Sequence, residues 1–100
     1  MKLLKCIIPP SKLDDVKEAL TAIHVHGMTV SEVSGVGSRN ENMNPQITIE
    51  LFVPDELVRA SLDAILAAAR TGNCDDGKIF IMNVDQAVRI RTGESDNAAL

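Results

Sequence analysis

The chain has 100 residues, 45% of them apolar and 24% charged, and this composition fits one globular domain rather than a disordered or fibrous chain. Its net charge is -4, and its only Phe, Tyr or Trp side chains are two phenylalanines, which makes it a poor candidate for general nucleic-acid binding. No apolar run approaches the roughly 20 residues of a membrane span, and the first residues lack a secretory signal, so we expect a cytoplasmic protein.

The first half of the chain predicts a strand, a helix and a hairpin of two more strands. Residues 3–8 are an apolar run that ends at Pro9 and Pro10, as a buried strand would. A helix with one apolar face follows, with Ser11 as its N-cap and Gly27 at its end. Beyond it, alternating apolar and polar residues indicate two strands joined by a polar segment. These elements are a strand over 28–36, a mobile loop over 38–45 and a strand over 46–53.

The second half of the chain predicts one more helix and one more strand. Pro54 and Asp55 open the helix, with Asp55 as its N-cap, and Gly72 follows its end. Residues 79–84 are apolar on both faces, which favours a strand in the centre of a sheet.

The order of these elements predicts the fold. Strand, helix, strand, strand, helix, strand is the βαββαβ order of α+β ferredoxin-like domains, in which two helices cover one face of a four-stranded antiparallel sheet. We therefore expect a single domain over residues 1–100, in which residues 93–100 form a polar, mobile tail. Because the last strand is apolar on both faces, the second face of the sheet needs cover, and we expect the protein to self-associate.

A pair of arginines is the strongest local sign of ligand binding. In an extended segment Arg89 and Arg91 point to the same side, so two guanidinium groups can bind one anion such as a phosphate. A solvated pair of exposed arginines explains the same spacing, because basic residues are common on surfaces. The spacing alone leaves both interpretations open.

Longer motifs resemble one protein family. The segments DGKIF at 76–80 and RIRTGE at 89–94 resemble the carboxy-terminal signature of the PII signalling proteins, and residues 12–16 and 27–30 resemble their amino-terminal half. The resemblance implies a homotrimer of ferredoxin-like subunits that binds an adenine nucleotide in each of three clefts between neighbours. It also implies that the protein is not an enzyme and that a loop docks onto a partner such as a membrane transporter or a metabolic regulator.

The same resemblance implies which residues contact the nucleotide. Residues expected near adenine and ribose are Ile7, Thr29, Gly35, Glu50 and Phe52. Residues expected near the phosphates are Gly37, Arg39, Asp75, Gly77, Lys78, Arg89 and Arg91. Glycines let backbone N–H groups approach phosphate oxygens, while lysine and arginine supply positive charge.

Three departures from the family pattern change these expectations. The loop between the hairpin strands is short and the chain has no tyrosine, so nucleotidylation of a loop tyrosine is excluded. Ser38-Arg39 and Gln46 stand where the family has the residues that hold magnesium-ATP and 2-oxoglutarate, so we do not expect 2-oxoglutarate sensing. Asp75 stands where the family usually has a glycine, and its charge opposes the longest phosphate chain, so we expect ADP or AMP to bind better than ATP.

Several functions remain open at this stage. Our leading interpretation is a regulator that reports energy or carbon status to a partner, with a small anion such as bicarbonate as a possible second ligand and a link to inorganic-carbon uptake. One alternative is a metal-binding trimer similar to the CutA proteins, in which His24 and His26 would be ligands. Another is a nitrogen-regulatory PII role. Cys74, in a polar turn, is the only thiol expected to be exposed, and a redox role for it stays open.

Overall fold

The computed structural model describes residues 1–37 and 40–100. Within these residues the elements follow the predicted βαββαβ order, which confirms the ferredoxin-like α+β fold. The strands are β1 (Lys2–Ile8), β2 (Thr29–Gly37), β3 (Asn40–Val53) and β4 (Lys78–Asn83). The helices are α1 (Leu13–Ala22) and α2 (Val58–Ala69), and short 3-10 turns lie at Pro10–Lys12, Asp55–Leu57 and Asp96–Ala99.

The core lies between the two helices and one face of the sheet. The strand order is β2-β3-β1-β4 with antiparallel neighbours, so β1 and β3 are central. Cys6 of β1 pairs with Ile49 of β3, and both are fully buried in the same apolar cluster as Val16 and Leu20 of α1. Burial raises the pKa of the Cys6 thiol to about 11, which keeps the thiol protonated and unreactive at neutral pH.

Both predicted N-caps are wrong. Ser11 lies inside a 3-10 turn that begins at Pro10, and α1 continues from that turn without a side-chain cap. Proline favours the first position of a helical turn because its φ is fixed, so the helical segment begins before Ser11 can act as its cap. Asp55 likewise lies in a 3-10 turn, and its carboxylate binds the Met1 amino group at 2.9 Å.

Helix α1 ends before the predicted glycine. The N–H of Val25 bonds to the carbonyl of Leu20 at 3.0 Å, and the N–H of His24 bonds to that of Thr21 at 2.9 Å. These two bonds, with His24 at φ 66°, form a Schellman motif, in which a residue in the left-handed region ends the helix. Gly27 lies beyond this motif and does not end the helix.

Replacing His24 with glycine should stabilise the protein. A side chain in the left-handed region costs about 1–2 kcal/mol, and glycine removes that cost but adds freedom to the unfolded chain, so we expect the free energy of unfolding to rise by about 0.5–1 kcal/mol. Urea unfolding measures the change. His26→Gly is the matched control and should destabilise, because among the described non-glycine residues only His24 and Asp96 have positive φ. A destabilised His24→Gly variant would contradict the prediction.

Strand β4 is an edge strand and not the predicted central one. It pairs only with β1 in the described sheet, and several of its apolar side chains are exposed. On the face opposite the helices, Phe80 is 47% exposed and Met82 42% exposed, and Phe52 of β3 is 44% exposed. The prediction failed because an apolar pattern reports which faces of a strand avoid water, not how many neighbouring strands it has. We call this surface, centred on Phe52, Phe80 and Met82, the open face.

The predicted loop over 38–45 is mostly strand. Strand β3 already begins at Asn40, Asn44 pairs with Gly35, and Pro45 pairs with Ser34. Positions 38 and 39 lie outside the described residues. Polar residues and proline indicated a loop, but Pro45 still fits a two-stranded ribbon whose register shifts nearby, between Gly35 and Gly37. The hairpin therefore extends beyond the rest of the sheet.

The predicted mobile tail over 93–100 is folded back onto the domain. Ser95 forms a β-bridge with Val88, and the N–H of Asp96 bonds to the carbonyl of Ala87 at 2.7 Å. Residues 96–99 then form a 3-10 turn. The polar composition was misleading here because these residues bond through their backbone, which composition does not report.

Candidate functional site

Two of the expected adenine residues lie opposite each other on the sheet. Thr29 begins β2 and is the direct cross-strand partner of Glu50 on β3. Both line a cavity of about 290 Å³, together with Phe52 and with Ala99 and Leu100 of the C-terminal segment. Because strand side chains alternate between faces, Glu50 and Phe52 both lie on the open face, opposite to the buried Ile49 and Leu51. This end of the open face offers an apolar ring and a carboxylate, which suits a nucleoside.

A second set of expected residues lies at the other end of β1. Ile7 pairs with Lys78, the first residue of β4, and Gly77 precedes it at φ 101°. A Cβ built on Gly77 would lie 1.8 Å from the carbonyl oxygen of Ile7, so the backbone of the turn approaches β1 more closely than any side chain would allow. Lys78 is exposed, and no ion pair of its side chain is present among the described residues. Its charge is available to an anion.

The turn before Lys78 is held by Asp76. Its carboxylate accepts hydrogen bonds from the backbone N–H of Thr71 at 2.7 Å and of Gly72 at 2.9 Å, and a further bond from the Thr71 hydroxyl. The bond from the Thr71 hydroxyl is the main cause that lowers the pKa of Asp76, with the backbone bonds adding to it. Asp76 thus fixes the conformation that presents Gly77 and Lys78.

Stability should therefore depend on the ionisation of Asp76. The pKa is lower in the folded state than in the unfolded state, so the stabilisation is complete above the unfolded value of about 3.9 and is lost as the pH falls through the folded value. We expect Asp76→Asn to be less stable than the parent at neutral pH, by a difference that shrinks below about pH 4. Urea unfolding across this range measures it, with the exposed Asp85→Asn as control. A difference that persists undiminished at low pH would contradict the assignment.

Arg89 makes contacts that the sequence did not indicate. Its Nη2 donates to the carbonyl oxygen of Leu100 at 3.0 Å, and its Nη1 lies 3.9 Å from the Glu94 carboxylate. The backbone of Arg89 also closes a turn, because its N–H bonds to the Glu94 carbonyl and its own carbonyl accepts the N–H of Gly93, both at 2.8 Å. Arg91 is exposed within this turn. The two arginines are therefore in a closed turn and not in the extended segment that the spacing argument assumed.

Seven of the expected residues form two groups within one chain. The Lys78 group consists of Ile7, Gly77 and Lys78. The Arg89 group consists of Thr29, Glu50, Phe52 and Arg89, which meet at the C-terminal segment. On β1, Ile7 is the partner of Lys78 and Leu3 is the partner of Phe52. These two positions are four residues apart, or about 13 Å along the strand. Lys78 and Phe52 therefore lie toward opposite ends of β1, and Arg89 contacts Leu100, which lines the same cavity as Phe52.

The remaining expected residues lie near the hairpin and the turn. Gly35 abuts the side-chain oxygen of Gln46, which would lie 2.2 Å from a Cβ at this position. Gly37 pairs with Asn40, and Arg39 lies outside the described residues. Asp75 is exposed in the turn beside Gly77, and its carboxylate lies 3.8 Å from the Cys74 sulfur.

Sequence reasoning missed Asp76, Glu94 and Leu100. A pattern of Thr-Gly followed by an acid four residues later was a usable sign for Asp76, because such side chains accept bonds from the turn's own backbone. Glu94 and Leu100 gave no such sign. Their contacts with Arg89 depend on how the last fifteen residues fold back, and Leu100 contributes only its backbone oxygen.

The alternative metal site has two imidazoles, and the described part of the chain offers no third ligand beside them. The rings of His24 and His26 lie 6.3 Å apart, and within residues 1–37 and 40–100 no group of three His, Cys, Asp or Glu side chains could hold a metal ion. The conformation of His24 is explained by its place in the Schellman motif. Cys74 is exposed, as expected.

Comparison with known proteins gives one consistent result. The family model described as "Nitrogen regulatory protein P-II" matches residues 1–94. The chain is 46% identical to nitrogen regulatory protein P-II of Rhizobium etli, 43% to nitrogen regulatory protein P-II 1 of Escherichia coli K12 and 41% to nitrogen regulatory protein P-II of Haemophilus influenzae. Each alignment covers the whole of both chains.

These alignments also bear on length and role. They extend over 112 positions, so at least twelve positions have no counterpart in this chain of 100 residues. The three names refer to nitrogen regulation and none refers to carbon or bicarbonate, so they favour the nitrogen-regulatory alternative over the predicted link to carbon. Across the described ranges, neither helix has the length and apolar character needed to cross a membrane.

Proposed function

The chain belongs to the P-II family of nitrogen regulatory proteins, as its motifs predicted, and from this premise we propose that it is a cytoplasmic trimer that signals nitrogen status by binding adenine nucleotides between its subunits. Proteins of this family are signalling regulators rather than enzymes, and they are trimers that bind adenine nucleotides and partner proteins. The observation that carries the proposal is the separation of the candidate ligands into the Lys78 group and the Arg89 group. A cleft between neighbours joins one group from each subunit.

The open face supports the trimer. Phe52, Phe80 and Met82 are each more than two-fifths exposed in the single chain, and a contiguous apolar surface of this kind marks an interface. In the trimer this surface packs against its copies, which also gives β4 the second cover that its apolar pattern predicted.

Each group has a defined part in the cleft. Lys78 supplies charge to the phosphates from a turn that Asp76 holds, while Gly77 brings the backbone close to them. From the neighbouring subunit Arg89 supplies a guanidinium fork to the same phosphates. Phe52 offers an apolar ring to the base, and Glu50 with Thr29 offers hydrogen-bond partners to the nucleoside.

The hairpin of β2 and β3 is the docking surface in this proposal. It extends beyond the sheet, and Val36 is 58% exposed and Met43 65% exposed on it. Exposed apolar side chains on a projecting element are suited to contact with a partner protein. The hairpin lacks a tyrosine, so control of docking rests on ligands and not on tyrosine modification.

Calorimetric titration with ADP, AMP and ATP, together with sedimentation of the native protein, tests the function. We expect a trimeric species that binds ADP or AMP more tightly than ATP, and no effect of 2-oxoglutarate on ATP binding. A monomer, or a protein that none of the three nucleotides binds, would refute the proposal. Tighter binding of ATP with and without magnesium would refute only the preference for shorter phosphate chains.

Removing the charge of Asp75 should relieve that preference. Its carboxylate is exposed in the phosphate turn, and repulsion between exposed charges costs up to about 1 kcal/mol after screening. We expect Asp75→Asn to tighten ATP binding by about 2- to 5-fold and ADP binding by less. The exposed Asp85→Asn serves as a control for net charge. Equal gains for ADP and ATP would show that Asp75 does not discriminate between them.

A further inference from the structure

The C-terminal segment, residues 96–100, is held at its base by backbone bonds to the residues just before Arg89 and by a bond within its own turn. The N–H of Asp96 bonds to the Ala87 carbonyl at 2.7 Å, and the 3-10 turn that follows ends with the N–H of Leu100 bonded to the Asn97 carbonyl at 3.2 Å. The bridge between Val88 and Ser95 holds the base of the segment. The segment is thus a structured part of the domain.

Both terminal nitrogens of Arg89 have an oxygen nearby, one from the segment and one from Glu94. Nη2 donates to the Leu100 carbonyl at 3.0 Å, and Nη1 lies 3.9 Å from Oε1 of Glu94. The hydroxyl of Thr92 donates to the same Oε1 at 2.8 Å and so holds the carboxylate in place. An arginine binds phosphate through these two nitrogens, as a fork that matches two oxygens. Arg89 therefore already has a Glu94 carboxylate oxygen and a main-chain oxygen of Leu100 beside the two nitrogens that would bind a phosphate.

The same segment also lies over the candidate nucleoside position. Ala99 and Leu100 line the cavity of about 290 Å³ that Thr29 and Glu50 border. Leu100 and Asn97 line a neighbouring cavity of about 360 Å³. Leu100 thus lines both cavities, and its main-chain oxygen accepts a hydrogen bond from Arg89. Movement of this one short segment would open both cavities and free the arginine.

We infer that residues 96–100, together with Glu94, are an internal competitor of the nucleotide, which must take Arg89 from them and release the segment in order to bind. The inference rests on the proposed function, because it concerns the same nucleotide cleft. It assigns the segment a regulatory part: a bound nucleotide leaves the segment free, and an empty cleft keeps it folded against Thr29 and Glu50.

Calorimetric titration of two variants with ADP tests the inference. A chain that ends at Ser95 lacks the segment and should bind ADP about 2- to 10-fold more tightly, the effect of losing one competing hydrogen bond. In the full-length chain Glu94→Gln should bind about 2- to 5-fold more tightly, because an exposed ion pair is lost. Glu18→Gln, an exposed acid on α1, makes the same change in charge and should leave the affinity of the parent unchanged.

Hydrogen exchange distinguishes a competitor from a lid. If the segment competes, ADP should speed exchange of the Asp96 and Leu100 amides. Slower exchange with ADP, or ADP binding that is equal or weaker in both variants, would overturn the inference while leaving the proposed function intact. If the shortened chain fails to fold, Glu94→Gln and the exchange measurement still decide. Absence of ADP binding in the parent and in every variant would overturn the proposed function itself, and the inference with it.

Discussion

Gly77→Ala should lower the free energy of unfolding by about 2–5 kcal/mol, more than any other single substitution considered for this chain. Two costs add at this position. The backbone has φ 101°, which costs an alanine about 1–2 kcal/mol, and the new Cβ would lie 1.8 Å from the Ile7 carbonyl oxygen. The nearest atoms belong to the backbone of a central strand, so they cannot move aside without disturbing the sheet.

Two other glycines separate these costs. Gly72 also has positive φ but nothing within 4 Å of a Cβ, so Gly72→Ala should cost only about 1–2 kcal/mol. Gly27 has neither feature, and Gly27→Ala should change stability by no more than about 0.5 kcal/mol. Urea unfolding of the three variants should place them in the order Gly77, Gly72, Gly27. A Gly77→Ala variant as stable as Gly72→Ala would show that the turn can move away from β1.

Lys78→Gln and Arg89→Gln should each weaken ADP binding by about 10- to 100-fold. Each substitution removes a charge-assisted contact to phosphate, worth about 1.5–3 kcal/mol. Mixed trimers of the two variants test whether the two ligands come from different subunits. If each cleft takes Lys78 from one subunit and Arg89 from its neighbour, random mixed trimers of the two variants in equal amounts should recover about a quarter of the high-affinity clefts.

Calorimetry of the refolded mixture measures the recovered clefts. Arg59→Gln is the matched control, because Arg59 is exposed on α2, is paired with Asp63 at 3.0 Å and belongs to neither group. Lys78→Gln that is refolded alone in the same way should recover no high-affinity clefts. A mixture of the two variants that recovers no high-affinity binding would place both ligands on the same subunit and would refute the intersubunit cleft.

Local periodicity explains what the sequence could predict about the fold. The alternation along β3 identified Ile47, Ile49, Leu51 and Val53 as one buried face, and all four are buried. The position of a strand within the sheet could not be predicted from local periodicity. Strand β4 is an edge strand because it pairs with β1, at the other end of the chain. The start of α2 was mistaken because Asp55 binds Met1, a contact across 54 positions that no local pattern records.

The candidate nucleotide residues divide in the same way. Residue type and motif pointed to Gly77 and Lys78 as phosphate ligands, and that role stays a prediction. The structure adds that Gly77 lies against the Ile7 carbonyl and that Lys78 is exposed. The state of Arg89 was not predictable, because its partner Leu100 is eleven positions away and acts through its backbone. The spacing of two residues predicts whether their side chains can point to the same side. It does not predict which oxygens of the folded chain those side chains contact.

The paired hairpin has a consequence for how a partner is recognised. A flexible loop loses much of its conformational entropy when it docks. The strand that runs from Thr29 to Gly37 is already paired with β3, so the hairpin loses little more on binding. In the proposed docking, the partner protein meets two strands that are already paired, so a recess as deep as the hairpin suits it better than a flat surface.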